Sequence, residues 1–166
     1  MSLYFDGALF CDLKSDVPQQ VIDTLQYMTR SEDYSFDSPP DHEFFKDKDW
    51  RRFLEIQPNY SCAPGLVYSE FRKAHRYEQD NVLVYYYTFS FRRCMHDDVE
   101  FNISLWSFLN WLARYSDTEG FIGYYREEFT LHPTLMYFKN GKVYKLEVKG
   151  EPVGPIWLYG EKWEKE

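Results

Sequence analysis

The sequence predicts an α+β domain in which two main helices pack on one face of a mainly antiparallel sheet. Three observations predict this class. Several segments alternate apolar and polar residues, which is typical of strands, and two others repeat apolar residues at helical spacing. An Asn140-Gly141 pair joins two alternating runs, which is a strong hairpin signal. With 166 residues, the chain has room for one domain with a substantial core.

The first two elements are a strand and a helix. Residues 3–13 alternate over their whole length and therefore predict a strand. Asp16, followed by Pro18 and Gln19, resembles a capping box at the start of a helix. Apolar residues at helical spacing then predict an amphipathic helix over 17–30.

An acidic segment follows the first helix. Residues 31–49 contain seven acidic residues against two lysines, together with the pair Pro39-Pro40. This composition predicts an irregular surface loop. We expect Trp50, Phe53 and Leu54 to fix a short helix at the end of this loop.

The second half of the chain predicts a long hairpin and four further elements. Residues 66–77 and 81–93 form the hairpin, and the second arm is partly apolar on both faces, which favours a central strand. The following helix and three strands are predicted at 103–115, 120–126, 134–139 and 142–148.

The predicted order of elements corresponds to a two-layer sandwich. Without its C-terminal hairpin arm, the order β-α-β-β-α-β is the ferredoxin-like one. We interpret residues 1–166 as a single domain that ends in an irregular tail at 150–166. The tail still carries large apolar residues that we expect to cover an apolar edge: Ile156, Trp157, Tyr159 and Trp163.

The net charge and the cysteines limit which partners and which cellular compartment we expect. The net charge of −8 argues against nucleic acid as a partner. No apolar run is long enough to span a membrane, and the N-terminus lacks the pattern of a signal peptide. Cys11, Cys62 and Cys94 are odd in number and contain no C-x-x-C pair, which predicts reduced, buried thiols in the cytoplasm.

One polar run, at the end of the predicted central strand, has the residue types of a metal site. Its thiolate, imidazole and carboxylates are possible ligands for zinc or another transition metal: Cys94, His96, Asp97 and Asp98. Alternation would place the thiol and the imidazole on one face. The alternative is a strand-to-helix loop in which an aspartate favours the start of the helix. We predict no cofactor.

The sequence contains no catalytic signature that we can identify. Glu127 and Glu128 are adjacent, so on a strand they point to opposite faces and cannot form a catalytic pair alone. Nucleophile-elbow, dinucleotide and P-loop patterns are absent. A non-enzymatic role is therefore favoured, although rarer kinds of catalysis stay open.

Aromatic residues make up 20% of the chain and predict a binding surface. We expect several tyrosines to form a rigid aromatic surface on the open face of the sheet: Tyr68, Tyr77, Tyr86, Tyr124, Tyr125 and Tyr137. In the acidic loop, Asp37, Asp41 and Glu43 are candidates for steering a basic partner. The alternative is a tyrosine-rich core beneath a solvated acidic surface.

These features support three functional hypotheses. The first is a non-enzymatic protein-interaction domain, of which an inhibitor or immunity-type role is one form, with a protein or a second copy of the chain as partner. A homodimer is compatible with every hypothesis. The second is a small-molecule-binding or enzymatic domain, and the third is a metalloenzyme built on the polar run. The pocket of the second hypothesis would lie between sheet and helices and be lined by Tyr85, Arg92, Arg93, Tyr125 and Arg126.

Overall fold

The computed structural model describes residues 3–29, 36, 38–55, 67–78, 81–96 and 99–150. Within these ranges the chain forms a mixed α+β fold with two α-helices and a six-stranded antiparallel sheet, as predicted. The α-helices are α1 (Gln19–Thr29) and α2 (Trp106–Ala113). The strands are β1 (Tyr4–Asp12), β2 (Tyr68–Tyr77), β3 (Leu83–His96), β4 (Gly120–Glu127), β5 (Thr134–Lys139) and β6 (Lys142–Glu147).

The strand order in the sheet is β2-β3-β1-β4-β5-β6, and each neighbouring pair is antiparallel. β3, the second arm of the long hairpin, lies between β2 and β1, so its predicted position inside the sheet is confirmed. That strand continues through His96, beyond the predicted end at residue 93. Neither α-helix in the described residues is long and apolar enough to cross a membrane.

Helix α1 begins at Gln19, and the predicted capping box is wrong. The carbonyl oxygen of Pro18 accepts hydrogen bonds from the N–H groups of Val21 and Ile22, at 2.9 and 3.3 Å. Because Pro18 already starts the helical hydrogen bonding, Asp16 lies too far upstream to cap it. The Gln19 side chain instead donates to Asp23 one turn later, at 2.8 Å.

The second helical region begins earlier than predicted. A π-helical segment, Glu100–Leu105, leads directly into α2. Leu105, Phe108 and Leu112 are buried on the side that meets the sheet, and the ring of Phe108 lies 5.7 Å from that of Phe89 on β3. The apolar spacing thus identified the packed face of the helix, although not its irregular first turns.

The acidic segment contains more ordered structure than its composition predicts. A 3₁₀-helix, Glu43–Lys46, lies within it. A second 3₁₀-helix, Trp50–Arg52, follows the segment directly and corresponds to the short helix predicted at the end of the loop. Phe44 and Phe45 are buried against α2, with ring-centroid distances of 5.3 Å to Phe108 and 4.9 Å to Trp111. These aromatic contacts anchor the charged segment to the core.

The two faces of the sheet have different environments. Leu9, Phe89 and Phe91 point towards the helices and are buried in the main hydrophobic core. The other face, which we call the open face, carries alternate residues of the same strands. A bulge in β4 between Phe121 and Gly123 shifts the alternation there, so that Phe121 and Tyr124 both lie on the open face.

Candidate functional site

A cleft with a volume of about 560 Å³ lies at the end of β3, where His96 closes the strand. Its floor is aromatic, formed by Phe44, Trp50 and Phe53. Its polar lining includes groups from three distant parts of the chain: Tyr4, Asp47, Asp49, Arg52, His96, Glu100 and Ser104. An apolar floor beneath convergent polar groups is typical of a small-molecule site.

Glu100 ties the end of β3 to the start of the second helical region. One carboxylate oxygen accepts a hydrogen bond from the backbone N–H of His96, at 3.0 Å. The other oxygen forms an ion pair with the buried guanidinium of Arg93, which also lies 5.2 Å from the centre of the Phe53 ring. Because the Glu100 carboxylate neutralises the charge of Arg93, the guanidinium can be buried beside the Phe53 ring.

Tyr4 and His96 form one wall of the cleft. They are register partners on β1 and β3, and their rings meet edge to face at a centroid distance of 5.2 Å. Tyr4 is also held by Glu128, the residue after β4, because its backbone N–H donates to the Glu128 carboxylate at 3.2 Å and its carbonyl oxygen accepts from Glu128 N–H at 3.0 Å. The wall is therefore fixed by two strands and the residue that follows β4.

The acidic rim of the cleft is built on local turns. Asp47 accepts a hydrogen bond from the backbone N–H of Asp49, at 3.0 Å. Upstream, Nδ1 of His42 accepts from the Phe44 N–H at 3.3 Å and caps the first 3₁₀-helix. Desolvation by burial lowers the pKa of His42, which keeps the imidazole neutral and able to accept.

The predicted metal site receives no support from the described part of the chain. Cys94 is disulfide-bonded, so the prediction of a reduced thiol is wrong for this residue, and it supplies no thiolate. Asp97 and Asp98 lie outside the described residues. The described residues contain no group of three or more His, Cys, Asp or Glu that could hold a metal ion. Since disulfides persist mainly in oxidising compartments, this bond also weakens the cysteine argument for the cytoplasm.

The five residues predicted to line one pocket are distributed over both faces of the sheet. Arg92 and Arg126 lie on the open face, whereas Arg93 and Tyr125 point towards the helices. Tyr85 shares the alternation of the helix-facing residues but is exposed, beyond the helices. The structure therefore does not bring these five side chains together.

Arg92 has a specific partner that the sequence did not indicate. Its Nε and Nη2 atoms donate to the two carboxylate oxygens of Asp6, at 3.2 and 3.0 Å. Asp6 is only 5% exposed, and its hydrogen bonds raise the pKa of Arg92. This forked pair links β3 to β1 in the open face.

The predicted acidic binding residues are only partly described. Asp37 lies outside the described residues, and Asp41 and Glu43 are exposed. Glu43 accepts a hydrogen bond from the Ser107 hydroxyl at 3.3 Å, which joins the acidic segment to α2. Asp41 and Glu43 come before the cleft rim in the sequence. Their carboxylates are accessible to solvent.

A second candidate surface is the outer half of the β2–β3 hairpin, residues 73–77 and 82–86, which we call the hairpin arm. Tyr77, Val82, Leu83 and Tyr85 are all exposed there. Basic side chains lie over its tyrosine rings: Lys73 Nζ is 4.7 Å from the centre of the Tyr85 ring, and the Arg76 guanidinium is 5.2 Å from that of Tyr86. The arm thus combines exposed apolar groups with positive charge.

The six tyrosines of the predicted surface lie in three places: the open face, the helix-facing side of the sheet and the hairpin arm. Tyr68, Tyr86, Tyr124 and Tyr137 lie on the open face by register, as expected. Tyr125 instead packs against Phe101 and Trp106 on the helix side, and Tyr77 belongs to the hairpin arm.

No model of a protein family, no curated protein and no solved structure matches this chain.

Proposed function

We propose that this protein is a non-enzymatic interaction domain that binds a protein partner through the hairpin arm. The observation that carries the proposal is the exposure of Tyr77, Val82, Leu83 and Tyr85 together on one hairpin. Tyrosine is enriched among the side chains that dominate binding energy at interfaces, and the rigid ring loses little conformational entropy on binding.

The charge of the arm favours a partner with an acidic surface. Lys73 and Arg76 flank the exposed tyrosines. Arg76 is paired with Glu78 at 3.2 Å and lies 3.9 Å from Asp117, so the excess positive charge of the arm comes from Lys73. Positive groups at the rim of an interface accelerate association with an acidic surface and fix its orientation. A second copy of the chain has matching chemistry, since Asp41 and Glu43 are exposed and acidic, and the resulting homodimer is one outcome of the test.

Three broader assignments accompany this proposal. We infer a single domain whose first four strands and two helical regions follow the ferredoxin-like arrangement, and the strand order β2-β3-β1-β4 supports this inference. An inhibitor or immunity-type role is one form of the proposed function, because both require stoichiometric capture of a protein. Cytoplasmic localisation stays a prediction from the sequence.

The test compares two exposed aromatic residues with the same accessibility. Tyr77 on the arm and Phe129 after β4 are each 69% exposed. Tagged protein is used to isolate a stoichiometric partner from its source lysate, and the affinity of the purified partner is then measured for Tyr77→Ala and Phe129→Ala. We expect Tyr77→Ala to weaken binding roughly thirtyfold, as for an interface residue worth about 2 kcal/mol, and Phe129→Ala to leave it unchanged. Equal affinities for the two variants, or a failure of any protein or second copy to bind, would contradict the proposal.

The cleft supports a second candidate function, the binding of a small cationic molecule. Its rim carries Asp47 and Asp49, and its aromatic floor suits a cation that stacks on a ring. Spermidine and arginine are suitable probes, with the melting temperature as the readout. A rise that is lost in Asp49→Asn but kept in Lys48→Gln would support this function; no rise with any small cation would exclude it.

A further inference from the structure

We propose that the C-terminal segment of this chain, residues 151–166, packs onto an apolar patch on the open face of the sheet. The segment lies outside the described residues, which end at Gly150. The patch consists of Phe10, Phe121, Leu135, Tyr137, Tyr144 and Leu146. It is distinct from both the hairpin arm and the cleft, and the proposal does not depend on the proposed function.

Strand register makes the patch continuous across β1, β4, β5 and β6. Tyr137 is the register partner of Phe121 on one side and of Tyr144 on the other. The Phe121 ring contacts those of Phe10 and Tyr137, with centroid distances of 6.0 and 5.9 Å. Two residues further along the same face, Leu135 on β5 is the register partner of Leu146 on β6. A contiguous apolar surface of this kind normally marks a place where other protein packs.

The size of the patch favours a short segment over a second copy of the chain. Phe10, Phe121, Tyr144 and Leu146 are 52, 42, 49 and 54% exposed. At about 100 Å² for each half-exposed large side chain, they leave about 400 Å² uncovered. A stable dimer buries roughly 800 Å² on each partner, about twice this area. Four consecutive apolar residues, Ile156 to Tyr159, match the smaller area.

The segment starts beside the patch and is long enough to cross it. β6 is the edge strand of the sheet and ends at Glu147, three residues before Gly150. From β6 to β1 the patch spans three strand spacings, about 14 Å. The six residues from Gly150 to Ile156 can extend over about 20 Å, so Trp157 can reach any part of it.

The prolines of the segment favour the face of the sheet over its edge. Pro152 and Pro155 lack the N–H groups that a strand paired with β6 would need to donate. An apolar run that follows these prolines therefore suits packing of its side chains on the patch better than pairing of its backbone with the edge strand.

Photo-crosslinking of the full-length chain tests the proposal. The photoreactive residue p-benzoylphenylalanine replaces Tyr144 in the patch or, as a control, Tyr77 on the hairpin arm. Both tyrosines are exposed, so neither replacement disturbs the core. At low micromolar concentration we expect monomeric chains crosslinked from position 144 to residues 156–163, and no such product from position 77. Products that are only dimeric would overturn the proposal in favour of a second copy. Absence of any crosslink from position 144 to residues 151–166 would also overturn it.

A second measurement tests whether residues 151–166 cover the patch. In the full chain, Trp157→Ser should expose the patch to solvent. The fluorescence of anilinonaphthalene sulfonate should then rise severalfold, because this dye binds exposed apolar surface. Phe129→Ser, which removes an exposed ring away from the patch, serves as the control. Equal dye binding by the two variants and the wild type would contradict the proposal.

Discussion

Gly123 offers a stringent test of how β4 is joined to β1. It follows the bulge in β4 and has a φ angle of +151°, a conformation that is nearly exclusive to glycine. A Cβ atom at this position would lie 2.0 Å from the carbonyl oxygen of Ala8 and 2.9 Å from the Cα of Leu9. Both neighbours are backbone atoms, which cannot rotate away. Gly123→Ala must therefore push β4 away from β1, which lies near the middle of the sheet.

Gly120 is the matched control for this substitution. It also has a positive φ angle, +105°, but a Cβ atom there would meet nothing within 4 Å. Gly120→Ala therefore carries only backbone strain, about 1–3 kcal/mol. Gly123→Ala carries similar strain and additionally loses at least one ladder hydrogen bond and packing around the fully buried Ile122. We expect this additional cost to be about 2 kcal/mol.

Urea denaturation separates the two costs. With a slope of about 2 kcal/mol per molar urea, the additional 2 kcal/mol lowers the unfolding midpoint of Gly123→Ala about 1 M below that of Gly120→Ala. The slopes of the two variants should agree, since only then do midpoints report the free energy of unfolding. If the two midpoints coincide, the close approach of β4 to the Ala8 carbonyl is refuted.

Three further predictions concern ionisable groups. Burial raises the pKa of Cys11 to about 12, so the folded state resists deprotonation; above pH 9 the wild type should lose about 1.4 kcal/mol of stability per pH unit relative to Cys11→Ala, measured by urea unfolding at each pH. The pKa of His42 is lowered in the folded state, so its stabilising cap on the Phe44 N–H is present at pH 7 and is lost as the pH falls below about 6.5. His42→Asn, which keeps an acceptor but does not titrate, should lose less stability between pH 7 and 5. Asp6→Asn should cost about 2 kcal/mol, and Arg92→Gln in the same chain should restore part of it in a double-mutant cycle, since the two form one forked pair.

The sequence predicted those elements whose signals are local. The β5–β6 hairpin has nearly the predicted bounds, because Asn140 and Gly141 adopt the positive φ angles that their tight turn requires. The start of α1 was misplaced by a local signal as well. Asp16 has the composition of a cap, but Pro18 had already begun the hydrogen bonding of the helix.

Composition concealed the structure of the acidic segment. Its carboxylates outnumber its apolar residues, and charge alone predicted a solvated loop. Phe44 and Phe45 nevertheless anchor it, because burying two aromatic rings against Phe108 and Trp111 contributes more than the exposed charges oppose. Adjacent aromatic residues within a charged run were the signal that could have indicated an anchored segment.

The cleft could not be predicted from spacing, since its polar groups come from separate parts of the chain. Tyr4, Asp49 and His96 meet only after β1 pairs with β3 and the acidic segment packs on α2. The pocket that was predicted failed for a simpler reason. It combined Arg92 with Arg93, although neighbours on a strand point to opposite faces.

The two candidate functions occupy opposite ends of one strand and can therefore be separated by mutation. β3 runs for 14 residues from Leu83 in the hairpin arm to His96 in the cleft. At about 3.3 Å per residue, the two ends are about 40 Å apart. Between them Phe89 and Phe91 are fully packed in the core, which keeps the strand rigid. A substitution at Tyr77 should thus alter protein binding without changing the cleft, and one at Asp49 should do the reverse. A variant at either end that impaired both activities would indicate that the arm and the cleft bind parts of a single partner.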